Sequence, residues 1–115
     1  MIKHAKDIPT ETMENFKGGQ GIVKLTKFAT SEDISGKGRF MAYGVLEPGA
    51  TQGYHQHFGE FETIYILEGK AKANDNGLDV SLNPGDVLIC KDGNGHSLEN
   101  IGGSDLKYIA VILNS

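Results

Sequence analysis

Turn signals recur along this chain at intervals that leave room only for short strands. Pro48-Gly49, Asn74-Asp75-Asn76-Gly77, Asn83-Pro84-Gly85-Asp86, Gly93-Asn94-Gly95 and Gly102-Gly103 punctuate it. Each is built from residues that preset a turn or tolerate positive φ. Between them run β-branched or alternating apolar segments: Ile22 to Phe28, Arg39 to Glu47, Glu62 to Glu68, Lys70 to Ala73, Leu78 to Leu82, Val87 to Lys91 and Leu106 to Leu113. Alternation of this kind marks half-buried strands. Leu106 to Leu113 is apolar on both faces, which predicts a central strand or one covered by a second subunit. No helical pattern exceeds a turn or two. The expected fold is therefore all-β, a sandwich or barrel of the jelly-roll kind with roughly nine or ten strands.

The first part of the chain is less regular. Residues 1 to 18 read as an arm, with Ile2, Ile8, Met13 and Phe16 as its apolar contacts and Thr10 as the cap of a brief helical turn. Gly18-Gly19-Gln20-Gly21 lacks the Gly-Lys-Ser/Thr ending of a phosphate loop and reads as a hinge into the first long strand. Thr30-Ser31-Glu32-Asp33 looks like a capping box for one helical turn that ends at Gly36. The domain reading is an arm over 1–18 and a barrel over 19–115. An arm exchanged between two subunits would bury its apolar residues, and together with the two-sided apolar strand this predicts a homodimer.

Composition excludes several classes. At 115 residues the chain makes one domain with a single core. A net charge of −4 argues against nucleic acid or an anionic membrane as the main partner, since both select cationic surfaces. No apolar run approaches the roughly 18 residues of a membrane span. The polar start Met1-Ile2-Lys3-His4-Ala5-Lys6-Asp7 has no secretory apolar stretch, and one cysteine, Cys90, cannot form an intrachain disulfide. A cytoplasmic protein is expected. Cys90 shares an apolar strand with Val87 and Ile89, so it is assigned to core packing.

The chemistry concentrates between Gly49 and Gly69. His55 and His57 are one residue apart and share a face if the segment is extended, so their imidazoles can converge on one point. Glu62 follows across the short Phe58-Gly59-Glu60-Phe61 connection, which can return a carboxylate to the pair. Two imidazoles and a carboxylate suit a divalent Mn, Fe, Ni, Co or Zn ion. Taken alone, the histidines read as one core residue and one surface residue. His96, just past the Gly93-Asn94-Gly95 turn, is the candidate fourth ligand.

At this point the spacing resembles the two motifs of the cupin superfamily. Gly49, His55, His57, Glu62 and Gly69 match the first; Gly85, Gly93, His96 and Asn100 match the second, with Lys91 standing where the family usually has proline. The resemblance implies a double-stranded β-helix barrel over about residues 35 to 113 and a metal held by His55, His57, Glu62 and His96. The family's spacing selects Glu62 over Glu60 as the carboxylate ligand. Glu60 then stands at the rim as a proton donor or a solvated turn residue. Arg39 and Tyr43 are further catalytic candidates, a cation and a phenol suited to an anion and to proton transfer. The sequence leaves open which face of their strand points inward. Asn100 is assigned to a structural hydrogen bond.

The resemblance implies a small single-domain cupin of the oxalate-decarboxylase-like kind. Two open positions on an octahedral ion would take a small organic acid. Decarboxylase or dioxygenase turnover stands beside a non-catalytic metabolite-binding module, a structural-metal barrel and a sugar isomerase.

Overall fold

A computed structural model describes all residues, 1–115, and contains ten strands. They are β1 (Thr10–Glu14), β2 (Ile22–Thr30), β3 (Gly38–Leu46), β4 (Thr51–Gln56), β5 (Glu60–Glu68), β6 (Ala71–Asp75), β7 (Leu78–Leu82), β8 (Val87–Cys90), β9 (Gly95–Asn100) and β10 (Leu106–Asn114). Every pairing is antiparallel. Six strands form one sheet in the order β1-β2-β3-β10-β5-β8, and four form the other in the order β4-β9-β6-β7. This is the expected jelly roll, two sheets closed over one core.

Alternation along each strand sets which side chains fill the interior. On β10, Leu106, Tyr108, Ala110 and Ile112 are buried, while Lys107, Ile109 and Val111 face outward. The strand is central, bonded to β3 on one side and β5 on the other. Across the interior, Leu46, Ile64, Ile66, Leu98 and Leu106 are almost fully enclosed. Each contributes about 1.5–3 kcal/mol relative to an exposed position. On β3 the inward set is Phe40, Ala42, Gly44 and Leu46, so Arg39, Met41, Tyr43 and Val45 share the outer face.

Turn chemistry fixes the connections. Asn76 and Gly77 both take positive φ, 50° and 100°, which closes the β6–β7 hairpin as the Asn-Gly pair predicts. At the β2–β3 corner, Asp33 accepts from the Thr30 amide at 2.9 Å while the Asp33 amide donates to Thr30 Oγ1 at 3.3 Å. That reciprocal pair is a capping box. Lys3 also bonds the Asp33 carboxylate; this bond and those from Thr30 hold its pKa at about 2.

The N-terminal segment departs from expectation. Thr10 caps no helix; it begins β1, which adds to the edge of the large sheet with Thr10 opposite Thr26 and Met13 opposite Val23. Thr-Glu-Thr-Met-Glu carries one apolar residue, so pairing with β2 makes it a strand where alternation gave no signal. The glycine segment is also more than a hinge. A Cβ on Gly19 would sit 2.2 Å from the Thr51 carbonyl, and one on Gly53 would sit 2.1 Å from the Lys17 carbonyl. Glycine at both positions lets the Phe16–Gly18 turn lie directly on β4.

Candidate metal centre

His55 stands on β4 and His96 on β9, directly opposite one another in the pairing register. His57 lies just past β4, where its amide donates to Asn94 and its carbonyl accepts from Gly93, at 3.0 and 2.7 Å. Glu62 comes from the other sheet, on β5. The four side chains therefore meet between the sheets, and their ligand atoms all lie within 4.8 Å of one another. His57, Glu62 and His96 are nearly sealed from solvent, and His55 is half-buried.

The outer ring nitrogens determine what the inner ones present. His55 Nδ1 is 2.8 Å from the Gly53 carbonyl, which can only accept, so that nitrogen carries the proton. His57 Nδ1 is 2.5 Å from Glu60 Oε2 and donates to it. In the neutral rings Nε2 is therefore a bare lone pair at both residues. Those lone pairs point at His96 Nε2, 3.1 Å from each. Glu62 Oε1 lies 3.0 Å from His57 Nε2 and 2.9 Å from His96 Nε2, yet no ring N–H is aligned on it and it has no hydrogen-bond partner. The Glu62 oxygen and His96 Nδ1 are both buried without a partner, a cost that a cation held among the four side chains offsets at the carboxylate.

Five of the six separations fit such an ion. Ligand atoms about 2.1 Å from an octahedral centre stand about 3.0 Å apart when adjacent and about 4.2 Å apart when opposite, against about 3.4 Å in a tetrahedron. Four of the observed distances fall between 2.9 and 3.1 Å, and His55 Nε2 is 4.0 Å from Glu62 Oε1. Four protein donors on six positions leave two for a ligand.

Electrostatics run with this arrangement. Burial raises the Glu62 carboxyl, but the His57 and His96 imidazoles outweigh it and hold the pKa at about 2. Glu62 raises the pKa of His57, against burial and with help from Glu60. Burial lowers that of His55, with the Gly53 carbonyl opposing. Burial, reinforced by the charge of Glu62, pushes the Cys90 thiol up to about 11, so it packs as a neutral group.

The other candidates separate. Glu60 is not a solvated turn residue: it opens β5, bonds His57, and accepts from Arg39 Nη2 at 3.0 Å. Arg39 is on the outward parity of β3, but at the strand end its guanidinium reaches round to Glu60 and the cavity mouth. Tyr43 lies on the outer face, paired with Ile109 and Thr26, and does not reach the cavity. Asn100 is structural; its amide donates to the carbonyls of Leu46 and Ser104 at 2.9 and 2.8 Å.

Beside the cluster is a cavity of about 210 Å³. His55 and Glu62 reach its wall, together with Leu25, Phe40, Tyr108 and Ile112 of the large sheet and Met13 and Phe16 of the N-terminal segment. Ile64 and Ile66, which share the parity of Glu62, pack deeper in the core instead of walling this space. The Tyr108 hydroxyl is buried without a partner, and burial with the nearby Glu62 charge raises its pKa. Sequence reading passed over Gln52, Met13 and Phe16 as cavity residues. Met13 and Phe16 were visible as apolar residues of the arm; what they cover became apparent only with the pairing of β1.

The comparisons agree with this geometry. The cupin domain family matches residues 42–112. An oxalate-binding protein of Thermotoga maritima is 40% identical over 113 residues, covering 98% of this chain and 93% of that protein. A crystal structure described as a predicted oxalate decarboxylase, also from Thermotoga maritima, superposes with a TM-score of 0.95 at 39% identity, with all of both chains covered. A polyketide cyclase from Streptomyces resistomycificus has a TM-score of 0.77 at 19% identity, covering 99% of this chain and 80% of that one, which is a likeness of fold alone.

Proposed function

This chain belongs to the cupin family, and we propose that it holds a divalent metal on His55, His57, Glu62 and His96 and binds a small organic acid on the two remaining coordination positions. The observation that carries this reading is the convergence of His55 and His57 Nε2 lone pairs, His96 Nε2 and the orphaned Glu62 Oε1 at separations suited to octahedral ligation. Octahedral spacing favours Mn, Fe, Co or Ni over Zn, which prefers a tetrahedron. Bound there, the ion supplies positive charge and two adjacent sites for carboxylate oxygens. The relative named as an oxalate-binding protein supports a small dicarboxylate or a related 2-oxo or 2-hydroxy acid.

The residues around the ion favour binding over turnover. Glu60 is committed to His57 and Arg39, Arg39 is committed to Glu60, and Tyr43 is on the outer face. The free Tyr108 hydroxyl in the cavity wall holds its proton because burial and the Glu62 charge raise its pKa. Decarboxylation or dioxygenation needs a group free to move a proton near the ligand. The test is metal analysis followed by calorimetry with oxalate on apo and loaded protein. Binding confined to the loaded form supports the proposal; equal binding by both, or failure to take up stoichiometric metal, overturns it.

A homodimer is part of the proposal. The outer face of the large sheet carries Tyr65, Val87 and Ile89 as exposed apolar residues, with Tyr65 directly opposite Val87 in the register and Ile109 alongside. An apolar patch can complement itself across a two-fold axis, so a second copy of this chain is the occupant we propose for it. The contact we propose is this sheet face, with β1 at the edge of the same sheet. Light scattering should give a dimer mass, and Ile89→Glu should shift it to a monomer. A wild-type monomer at micromolar concentration would remove the idea. No helix is long and apolar enough to cross a membrane, and the single unpaired, buried Cys90 suits the reducing cytoplasm.

A further inference from the structure

Gln52 is three residues before His55, and on a regular strand the two would face opposite sides. The pairing of β4 with β9 shows why they do not. Gln52 is opposite Leu98 and His55 is opposite His96, so three steps on β4 match two on β9. The extra residue is a bulge at Gly53-Tyr54, and it returns both Gln52 and His55 to the interior. The Lys17 carbonyl presses on the bulge from outside, and His55 Nδ1 donates to the carbonyl that Gly53 presents there.

Gln52 is left in an unusual position for an amide. It is 6% exposed, it lines the cavity with His55 and Glu62, and its side chain has no hydrogen-bond partner in the protein. No group of the protein holds this amide, so its donors and acceptor are free to bond what occupies the cavity. The charged residues that line the cavity do not replace it. Lys27 pairs with Glu11 at 3.3 Å and Arg39 with Glu60 at 3.0 Å, while the exposed Lys17 lays its ammonium over the Phe16 ring, 5.6 Å from the centroid. Inside, beyond the metal ligands, the wall is apolar except for the Tyr108 hydroxyl and Gln52.

We infer that Gln52 binds the acid directly, its amide N–H donating to an oxygen of the ligand held at His55, His57, Glu62 and His96. A neutral donor at this place recognises a carboxylate or 2-oxo oxygen without adding charge to the cavity. This rests on the small-acid reading given above, and the experiment separates the two.

Calorimetry with oxalate is run on metal-loaded wild type, Gln52→Leu and Gln52→Glu, with metal content measured by elemental analysis. Leucine keeps the volume and removes the donor; glutamate keeps the shape and sets a like charge against the anion. The expected result is full metal content in all three, oxalate affinity lower by at least roughly tenfold in Gln52→Leu, and a larger loss in Gln52→Glu. Wild-type binding with unchanged affinity in both variants overturns the role of Gln52 and leaves the small-acid reading in place. Loaded wild type that binds no acid overturns both. If a variant does not load metal, a crystal structure of loaded wild type with oxalate decides. An amide nitrogen within about 3.2 Å of a ligand oxygen supports the assignment, and a longer separation overturns it.

Discussion

Glu60 Oε2 stands 2.5 Å from His57 Nδ1 and holds that ring in the tautomer that turns its Nε2 lone pair to the centre of the cluster. Arg39 grips the same carboxylate at 3.0 Å, so the orientation of one ligand is set by a chain of three side chains ending at the surface. Partners of this kind fix ring orientation and raise ligand basicity. Glu60→Gln keeps the size and removes the charge. It should weaken metal binding by roughly 10- to 100-fold, read by competition with a coloured chelator. Wild-type affinity in this variant would show that packing alone holds the ring.

Much of this arrangement was legible before any coordinates. Strand parity paired His55 with His57, and the resemblance to the cupin motifs completed the set with Glu62 and His96; β9 does lie beside β4 with His96 opposite His55. The two-sided apolar character of β10 agreed with its central place, while the inward face of β3 became clear only with its register on β10. Two further kinds of feature were not legible. Gln52 was hidden by the bulge, since a one-residue insertion reverses parity and no residue type announces it. β1 was hidden because Thr10–Glu14 has almost no apolar pattern and becomes a strand through its partner. The role of Glu60 lay between these cases. Its parity with Glu62 points inward, but only its distance to His57 distinguishes a positioning carboxylate from a solvated one.

Apo and metal-loaded protein should respond to pH with opposite slopes near neutrality. The pKa of His57 in the apo fold is raised above its ordinary 6.5, chiefly by Glu62. A raised value means the folded state holds the proton more tightly. The stability it contributes is complete below the ordinary value and is lost as pH rises through the raised one. Apo protein should therefore lose stability as pH rises above about 6.5. The depressed pKa of His55 adds no opposing slope there, because its contribution is complete above its ordinary value. Metal must displace that same proton, so loading and its stabilisation should grow over the same range. The depressed carboxyl of Glu62 acts elsewhere: its contribution is present above 4.5 and lost as pH falls through about 2. Urea unfolding of both forms across this range is the check, and parallel slopes would contradict the assignment.

The last prediction concerns the bulge itself. A methyl group on Gly53 would lie 2.1 Å from the Lys17 carbonyl, 2.7 Å from the Gly19 amide nitrogen and 2.9 Å from the Gly18 carbonyl carbon, all of them backbone atoms with no rotamer to change. Gly53→Ala must therefore push the Phe16–Gly18 turn away or flatten the bulge. Either movement reaches the site. Displacing the turn moves Phe16 off the cavity wall, and flattening the bulge removes the carbonyl that holds His55 Nδ1. The variant should lose about 1–3 kcal/mol of stability, as overpacked sites do, and its metal affinity should fall with it. Gly103 is the control, because a Cβ there meets nothing within 4 Å. Gly103→Ala should stay within about 0.5 kcal/mol of wild type and keep its metal. If Gly53→Ala unfolds at the wild-type urea concentration and binds metal as tightly, the close contact between the turn and β4 does not govern the site.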